Sequence, residues 1–443
     1  MDSKRTAEDI FLAGVSRVLP EKLISREIAL KDNVLTIGSL NFSLDSIDHV
    51  YVIGAGKASS MMASEVEKIL GTRISAGHIV VKYGHSSKLK YINCSEAGHP
   101  IPDSNGINAT KTILEIAARA GSNDLVLCLL SGGGSALLAD FPEGSAPEEM
   151  VHVNNLLINS GASINEINSV RKHLSLVKGG QLARAVYPAT LVSLILSDVV
   201  GDPLDVIASG PTAPDPTTYE QSLAVLEKYN LIGSVSGSIL KSLRDGVAGL
   251  RPETPKPADP VFKKTYNILI GTNYLALEAA KKKAADLKLN PLIITDKLQG
   301  DVPSIAEYIL EISLRYKNGK NIKKPVCLLF GGEPTLKMTG NGLGGRNQHL
   351  ALLCARMLCN QPGITILCAG SDGTDGPTDA AGAIVDSDTL RRAYSLHIHS
   401  GNYIQKFDSY NFFKKAGGHI ITGPTMTNVM DIIVVIVENP ERK

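Results

Sequence analysis

Short, uninterrupted apolar runs recur along the chain and alternate with stretches whose apolar residues follow helical spacing. His49 to Ile53, Gly77 to Lys82, Leu125 to Leu130 and Leu191 to Leu196 each read as a strand buried on both faces, followed by glycine or a helix-capping residue. Strands of a parallel sheet are covered by helices on both sides and need no polar face, so this order predicts βαβ units. The pattern resumes with Tyr266 to Ile270, Pro291 to Thr295, Val326 to Phe330, Ile364 to Ala369 and Ile432 to Val437. Between the two series lies RPETPKPADP, Arg251 to Pro260, whose four prolines cannot sit inside regular elements. The expected architecture is α/β throughout: a doubly wound parallel sheet over residues 1–250, a Pro-rich linker at 251–261 and a second α/β domain over 262–443. The active site is expected in the cleft between the domains.

Composition narrows the function classes. Apolar residues make up 43% of the 443 positions, and 45 basic side chains balance 44 acidic ones at a net charge of +1. This is a folded chain without the basic excess of a nucleic-acid binder, so its expected partners are small molecules. The longest apolar runs fall well short of the ~18 residues that a membrane span needs. The N-terminal stretch MDSKRTAEDIFLAGVSRVLP mixes acids with bases and has no apolar core, so it fits no secretory or transit signal and a cytoplasmic location is expected. The six cysteines form no CxxC pair and read as reduced core residues, three of them inside strand-like runs.

Three segments carry glycines between a strand and a helix, where backbone N–H groups converge outside the carboxyl end of a parallel sheet. In VYVIGAGKASS, Gly54 and Gly56 precede Lys57, placed at the first turn of a helix. A cation there opposes the helix dipole at a cost of roughly 0.3 to 1 kcal/mol unless an anion lies between them. In LVLCLLSGGGSALL, the run Ser131, Gly132, Gly133, Gly134, Ser135 offers a nest of amides for a phosphate or carboxylate; the other reading is a sharp turn that packs strand against helix. In LLFGGEPTLKMTGNGLGGRNQHL, Glu333 ends a strand and a helix opens at Arg346 or Asn347 behind paired glycines, where the Arg346 guanidinium suits a bidentate phosphate clamp. No GxxxxGK[ST] loop occurs, so nucleotide chemistry would need another architecture.

The carboxylates follow the same strand ends. Asp198 comes directly after an apolar run, and Asp202 lies in the Gly- and Pro-rich loop behind it; both are candidates for Mg²⁺ ligation or for general-base work. Asp372 and Asp375 sit in a further loop, AGSDGTDGPTD, out of register for a calcium loop and read as a substrate loop, although turn-forming Asp-Gly pairs explain much of it. The segment INEINSVRKHLSLVKGG predicts a helix with Arg171, Ser175 and Lys178 on one face. Arg171 is the stronger candidate for an anionic group, because Lys178 near a helix C-terminus already suits the dipole. No GxSxG, HExxH or Cys/His spacing points to hydrolysis or zinc. A site rich in Gly, Lys, Arg and Asp fits phosphoryl transfer, where charge neutralisation and positioning do most of the work.

Taken in order, GAGKAS, HPIPDSNG, SGGGSALL, NSVRKHLSLVKGGQLA, SDVVGDPLDVIASGPTAPDPT, FGGEPTLKMTGNGLGGRNQHLAL, AGSDGTDGPTDAAGAIVD and TGPTMTNVMDI closely resemble the class II glycerate 2-kinases. The resemblance runs from about residue 5 to 437. It implies a Rossmann-like N-terminal domain, a MOFRL-type C-terminal domain, and ATP-dependent phosphorylation of D-glycerate at its 2-hydroxyl with Mg²⁺. The family's catalytic Lys, Asp and Arg fall on Lys57, on Asp198 or Asp202, and on Arg346. A homodimer stays open. So does a different activity, NAD(P)-dependent hydroxypyruvate reduction, a label that members of this family have carried. Against it, Ser59 replaces the third glycine of a dinucleotide fingerprint, and no acid ends the second strand. A metabolite sensor without turnover is the third option.

Overall fold

The computed structural model describes residues 2–438, which pack as two compact units. The first comprises Leu23–Ser197 and Asp202–Ile270. It opens with a small antiparallel sheet, β1 (Ile28–Lys31), β2 (Val34–Ile37) and β3 (Leu40–Ser43). The main sheet contains β4 (Val50–Ala55), β5 (Ile74–Lys82), β6 (Asn93–Ala97), β7 (Leu125–Leu130), β8 (Thr190–Leu196) and β9 (Thr265–Gly271) in the order β6-β5-β4-β7-β8-β9. The pairings from β6 through β8 are parallel. Strand order reverses between β4 and β7, as in a dinucleotide-binding sheet, so the loops leaving these two strands flank the topological switch point. Every residue of β4 and β7 is buried, as their unbroken apolar runs require. Four helices, Pro147–Asn159, Ile164–His173, Tyr219–Lys228 and Gly237–Val247, build a separate small core around Val153, Leu157, Val170, Leu226 and Leu243.

The second unit holds a mixed sheet: β10 (Asn290–Leu298), β11 (Val326–Gly332), β12 (Ile364–Gly370), β13 (Gly382–Asp386), β14 (His419–Ile420) and β15 (Asp431–Val437), ordered β10-β11-β15-β12-β13-β14. Only the β10–β11 pair is parallel. Phe330, Leu350, Ile366, Phe412 and Val435 share one hydrophobic core. The doubly wound expectation therefore describes the first sheet and not this one.

The domain limits read from the sequence differ from this division. Residues 251–261 lie inside the first unit: Thr254 Oγ1 donates to Asp215 at 2.9 Å, His173 Nε2 meets Glu253 at 2.8 Å, and β9 supplies the sixth strand of the first sheet. Prolines bar regular structure but not packing, and this segment satisfies buried charged groups. The helix Ser3–Arg17, expected in the N-terminal domain, belongs to the second unit. A Cβ on its Gly14 would stand 3.0 Å from the Ala276 carbonyl, and Thr427 Oγ1 donates to Val18 O at 2.6 Å. Cys128, Cys327, Cys354 and Cys368 are buried free thiols, as read, but Cys94 is only partly buried and Cys359 is exposed, so neither is a core residue; burial pushes Cys128 and Cys327 up to about 12.

Candidate active site

At the switch point, the two glycine loops first serve each other. A Cβ on Gly54 would stand 2.3 Å from the Leu129 carbonyl, and one on Gly56, at φ +139°, would stand 2.1 Å from Ser131 Oγ. Both glycines are buried. They permit close packing of β4 on β7 and present no surface to a ligand, contrary to the binding role expected for them. Ser131 is likewise turned inward: its Oγ accepts the Ala58 N–H at 3.0 Å, at the start of the helix Ser59–Leu70. Lys57 therefore precedes that helix rather than lying in its first turn.

What remains open at this loop is narrower than the expected nest. The Gly134 N–H goes to the Ser131 carbonyl at 3.2 Å, whereas the amides of Gly132, Gly133 and Ser135 have no acceptor among the described residues. Gly133 sits at φ +86°, and a Cβ there would touch the His99 ring at 3.0 Å and approach Lys57 Cγ at 3.5 Å. Lys57, His99 and Gly133 are thus neighbours. The Lys57 ammonium meets no carboxylate among the described residues. His99 escaped the sequence reading because a lone His before Pro reads as part of a turn.

Gly133, Ser135 and His99 line a cavity of about 770 Å³ that also takes in Arg171 and Lys178. Arg171 gives its Nε–H to Asn154 Oδ1 at 2.7 Å and has no carboxylate partner among the described residues. Burial lowers its pKa. Lys178 is committed elsewhere, to Leu138 O at 2.6 Å and to Asp140 at 3.3 Å. The helix ends at His173, so Lys178 lies in the turn beyond it and not on the face of Arg171. Ser135 Oγ bonds Ser209 Oγ at 2.7 Å.

The loop after β8 is strained. Asp202, Ala208 and Ser209 all have φ between +50° and +60°, joined by Gly201 and Gly210, and such conformations in non-glycine residues persist where the surroundings enforce them. Asp198 follows β8 by two residues and groups with the second unit, whereas Asp202 groups with the first. Below this loop lies a buried charge network that the sequence reading missed. Lys172 Nζ reaches Asp205 at 3.2 Å and Asp215 at 3.3 Å. Burial would raise Asp215, but Lys172, the Thr217 donors and His173 outweigh it and hold the carboxyl below its usual range.

In the second unit the helix expected to open at Arg346 or Asn347 runs Arg346–Met357. Its Nε and Nη2 bind the two oxygens of Asp431 at 2.6 and 3.0 Å, and Nη1 binds Glu333 at 2.8 Å. Asp431 is buried at the start of β15, where burial pushes its carboxyl up and Arg346 pulls it back. A guanidinium has five N–H donors; three are used, which leaves one hydrogen on Nη1 and one on Nη2 without a partner among the described residues. Asp375 departs from its expected substrate role. Its oxygens accept the backbone N–H groups of Asn347 (3.0 Å) and Gln348 (2.8 Å), so it caps the helix that carries Arg346. Asp372 accepts from Thr374 N and Oγ1, the turn chemistry noted as its alternative. Gly340 and Gly342 pack on the backbone of Lys406 to Asp408, and Gly345 on Asp375.

Two imidazoles sit far from their ordinary titration. Burial, then Lys57, Lys82 and His85, lowers His99 to about 4; burial alone does the same for His349, which stacks on Phe407. Folded values below the unfolded 6.5 mean that this stability is complete above 6.5 and is lost as pH falls toward 4. Asp375 has the opposite sign: burial raises it from 3.8 to about 6, so its contribution is full below 3.8 and is lost as pH rises through 6. The expected result in an NMR titration is that both histidines stay neutral down to about pH 5 while free histidine titrates.

Residues 6–244 match the family described as a domain of unknown function, DUF4147, and residues 326–431 match the MOFRL family. A D-glycerate 2-kinase of Thermotoga maritima is 42% identical over 97% of this chain and 97% of its own. The chain belongs to the MOFRL-domain glycerate kinase family. Within this family, a crystal structure of glycerate kinase from T. maritima superimposes with a TM-score of 0.86 at 40% identity, over 98% of this chain and 99% of the other. A relative from Agrobacterium vitis, 39% identical over 87% of this chain and 86% of its own, is described as a putative hydroxypyruvate reductase. Among the described residues, no helix is long and apolar enough to cross a membrane.

Proposed function

We propose that this chain is a cytoplasmic ATP-dependent D-glycerate 2-kinase. The observation that carries the reading within the structure is Lys57, an ammonium without a carboxylate partner among the described residues, beside the open amides at Gly133 on the switch point of a doubly wound sheet. The glycerate 2-hydroxyl oxygen bonds to the γ-phosphorus, the bond from that phosphorus to the β,γ-bridging oxygen breaks, and ADP leaves. Lys57 and Arg346 neutralise charge on the transferring oxygens. Asp198 or Asp202 accepts the hydroxyl proton. Carboxylates are hard donors that suit Mg²⁺, and no group of three or more His, Cys, Asp and Glu among the described residues is arranged to hold a metal ion by itself. A Mg²⁺ held by Asp198 or Asp202 would therefore keep positions for water and phosphate oxygens. When bound, it supplies charge neutralisation on the nucleotide phosphates.

Asp198→Asn keeps size and removes charge. Its expected effect is a loss of kcat of about 10²-fold or more, with little change in Tm. The same loss in Asp202→Asn, with Asp198→Asn near wild type, assigns the role to Asp202.

The reductase reading is favoured by the Agrobacterium relative and opposed by two features. Ser59, in the third fingerprint position, is buried and donates to Leu129 O at 3.0 Å. The second strand of the sheet, β5, ends on Lys82 and not on an acid. ADP release from MgATP with D-glycerate, and no NADH oxidation with hydroxypyruvate, is the expected outcome of the paired assay. The reverse pattern overturns the kinase.

A further inference from the structure

Alanine and serine gain nothing from the left-handed region, yet Ala208 and Ser209 both occupy it in the loop after β8, as Asp202 does near its start. A residue stays there where its surroundings hold it, and the holders can be named. The Gly179 N–H donates to Ser209 O at 3.0 Å, and the Gly180 N–H to Gly210 O at 2.7 Å. Ser209 Oγ meets Ser135 Oγ at 2.7 Å and donates to Asn168 Oδ1 at 3.2 Å. The loop also folds back on itself: a Cβ on Gly210 would stand 2.8 Å from Asp205 Cα. Where Asp205 stands therefore governs the path of Ser209 and Gly210.

Asp205 is held by Lys172. The Lys172 ammonium donates to it at 3.2 Å and to Asp215 at 3.3 Å. Asp215 is fully buried and accepts from Thr217 N and Oγ1 and from Thr254 Oγ1, so one end of this bridge is fixed inside the unit. The other end is the loop. Desolvating an ammonium offsets much of what its ion pairs contribute to stability, so stability alone does not account for a lysine that is only 2% exposed. The loop, in turn, bears on the candidate site through Asp202 and through Ser209, which grips Ser135 in the glycine turn.

We propose that Lys172 is a positioning residue for phosphoryl transfer: through Asp205 it clasps residues 202–210 in their strained form and so sets where Asp202 and Ser135 stand. Lys172 acts through the loop and not on the substrates. This assignment rests on the kinase reading and adds to it the group that keeps the site in register.

Asp205→Asn tests the clasp from its more exposed end, where the side chain keeps 36% of its surface. It removes the charge, keeps the size and leaves Lys172 paired with Asp215. The expected result is a fall in kcat of about tenfold or more, with the KM values for ATP and D-glycerate within about threefold of wild type. In hydrogen exchange read by mass spectrometry, the peptide carrying the Gly179 and Gly180 amides should exchange about tenfold or more faster, while Tm stays within a few degrees. Faster exchange with unchanged kcat makes Lys172 a structural residue and overturns the proposal. A lower kcat with unchanged exchange also overturns it, because Asp205 would then act in the chemistry itself, and so does no change in either. If Asp205→Asn does not fold, as judged by circular dichroism, Ser209→Ala is read instead: it cuts the loop from Ser135 and Asn168, the same paired loss is expected, and unchanged kcat overturns the proposal. Failure of the kinase reading is distinguishable: no ADP release by wild type ends that reading, while exchange at Gly179 and Gly180 still decides whether Lys172 clasps the loop.

Discussion

Arg346→Ala is expected to lose about 10³-fold or more in kcat, in the range seen when a guanidinium that stabilises a transferring phosphoryl is removed. Asp431 and Glu333 hold the guanidinium at three donors and leave one hydrogen on each Nη without a partner among the described residues. Arg346→Lys cannot restore this arrangement, because an ammonium has no planar fork to bind Asp431 and a phosphate together, so its rescue is expected to be poor. Removing Arg346 also leaves Asp431 buried without its cation, a loss of order 3–5 kcal/mol that the carboxyl relieves in part by taking a proton. Tm should fall with kcat. Asp431→Asn separates the two effects: it keeps the shape, releases the guanidinium from one side, and as a positioning change should lower kcat more than it raises the KM for ATP. Steady-state kinetics well below the melting range measure all three variants.

Lys57→Ala is expected to show a comparable loss of turnover with a different thermal signature. No ion pair among the described residues ends on Lys57, so truncation breaks no buried pair and Tm should stay within a few degrees of wild type, on the order of 1 kcal/mol. The ammonium acts on charge that develops during transfer, and its removal should cost about 10²- to 10³-fold in kcat. Near-normal turnover would mean that the glycine loop is an ordinary strand-to-helix turn.

The sheets were legible where burial leaves no choice. β4, β7, β8, β12 and β15 are buried along nearly their whole length, and continuous apolar runs announce such strands without ambiguity. β6, NCSEA, has no apolar run, and β1 to β3 are only four residues each, too short for a period to show. Which helix joins which unit was not legible. Ser3–Arg17 displays its apolar face in Ala7, Ile10 and Phe11, but nothing local says that the face packs with residues hundreds of positions away. The site shows the same limit. Lys57, Arg171 and Arg346 stand out in the sequence because a cation beside glycines or on a helix face is anomalous by itself. Asp375 as a cap for Asn347 and Gln348, and Asp431 as the partner of Arg346, are contacts across 27 to 85 positions that no spacing rule reaches. The glycines misled in one direction. Gly54 and Gly56 are required by Leu129 and Ser131, and a ligand would require glycine in the same way.

The central claim is phosphoryl transfer to the secondary hydroxyl of D-glycerate. A ³¹P NMR spectrum of the products from MgATP and D-glycerate tests it most directly, because a phosphate on carbon 2 couples to a single proton and one on carbon 3 couples to two. The account predicts equal growth of ADP and of a phosphomonoester doublet, slowed by about 10²-fold or more in Lys57→Ala and Arg346→Ala. A triplet, or ATP left intact while NADH is consumed with hydroxypyruvate, would contradict it.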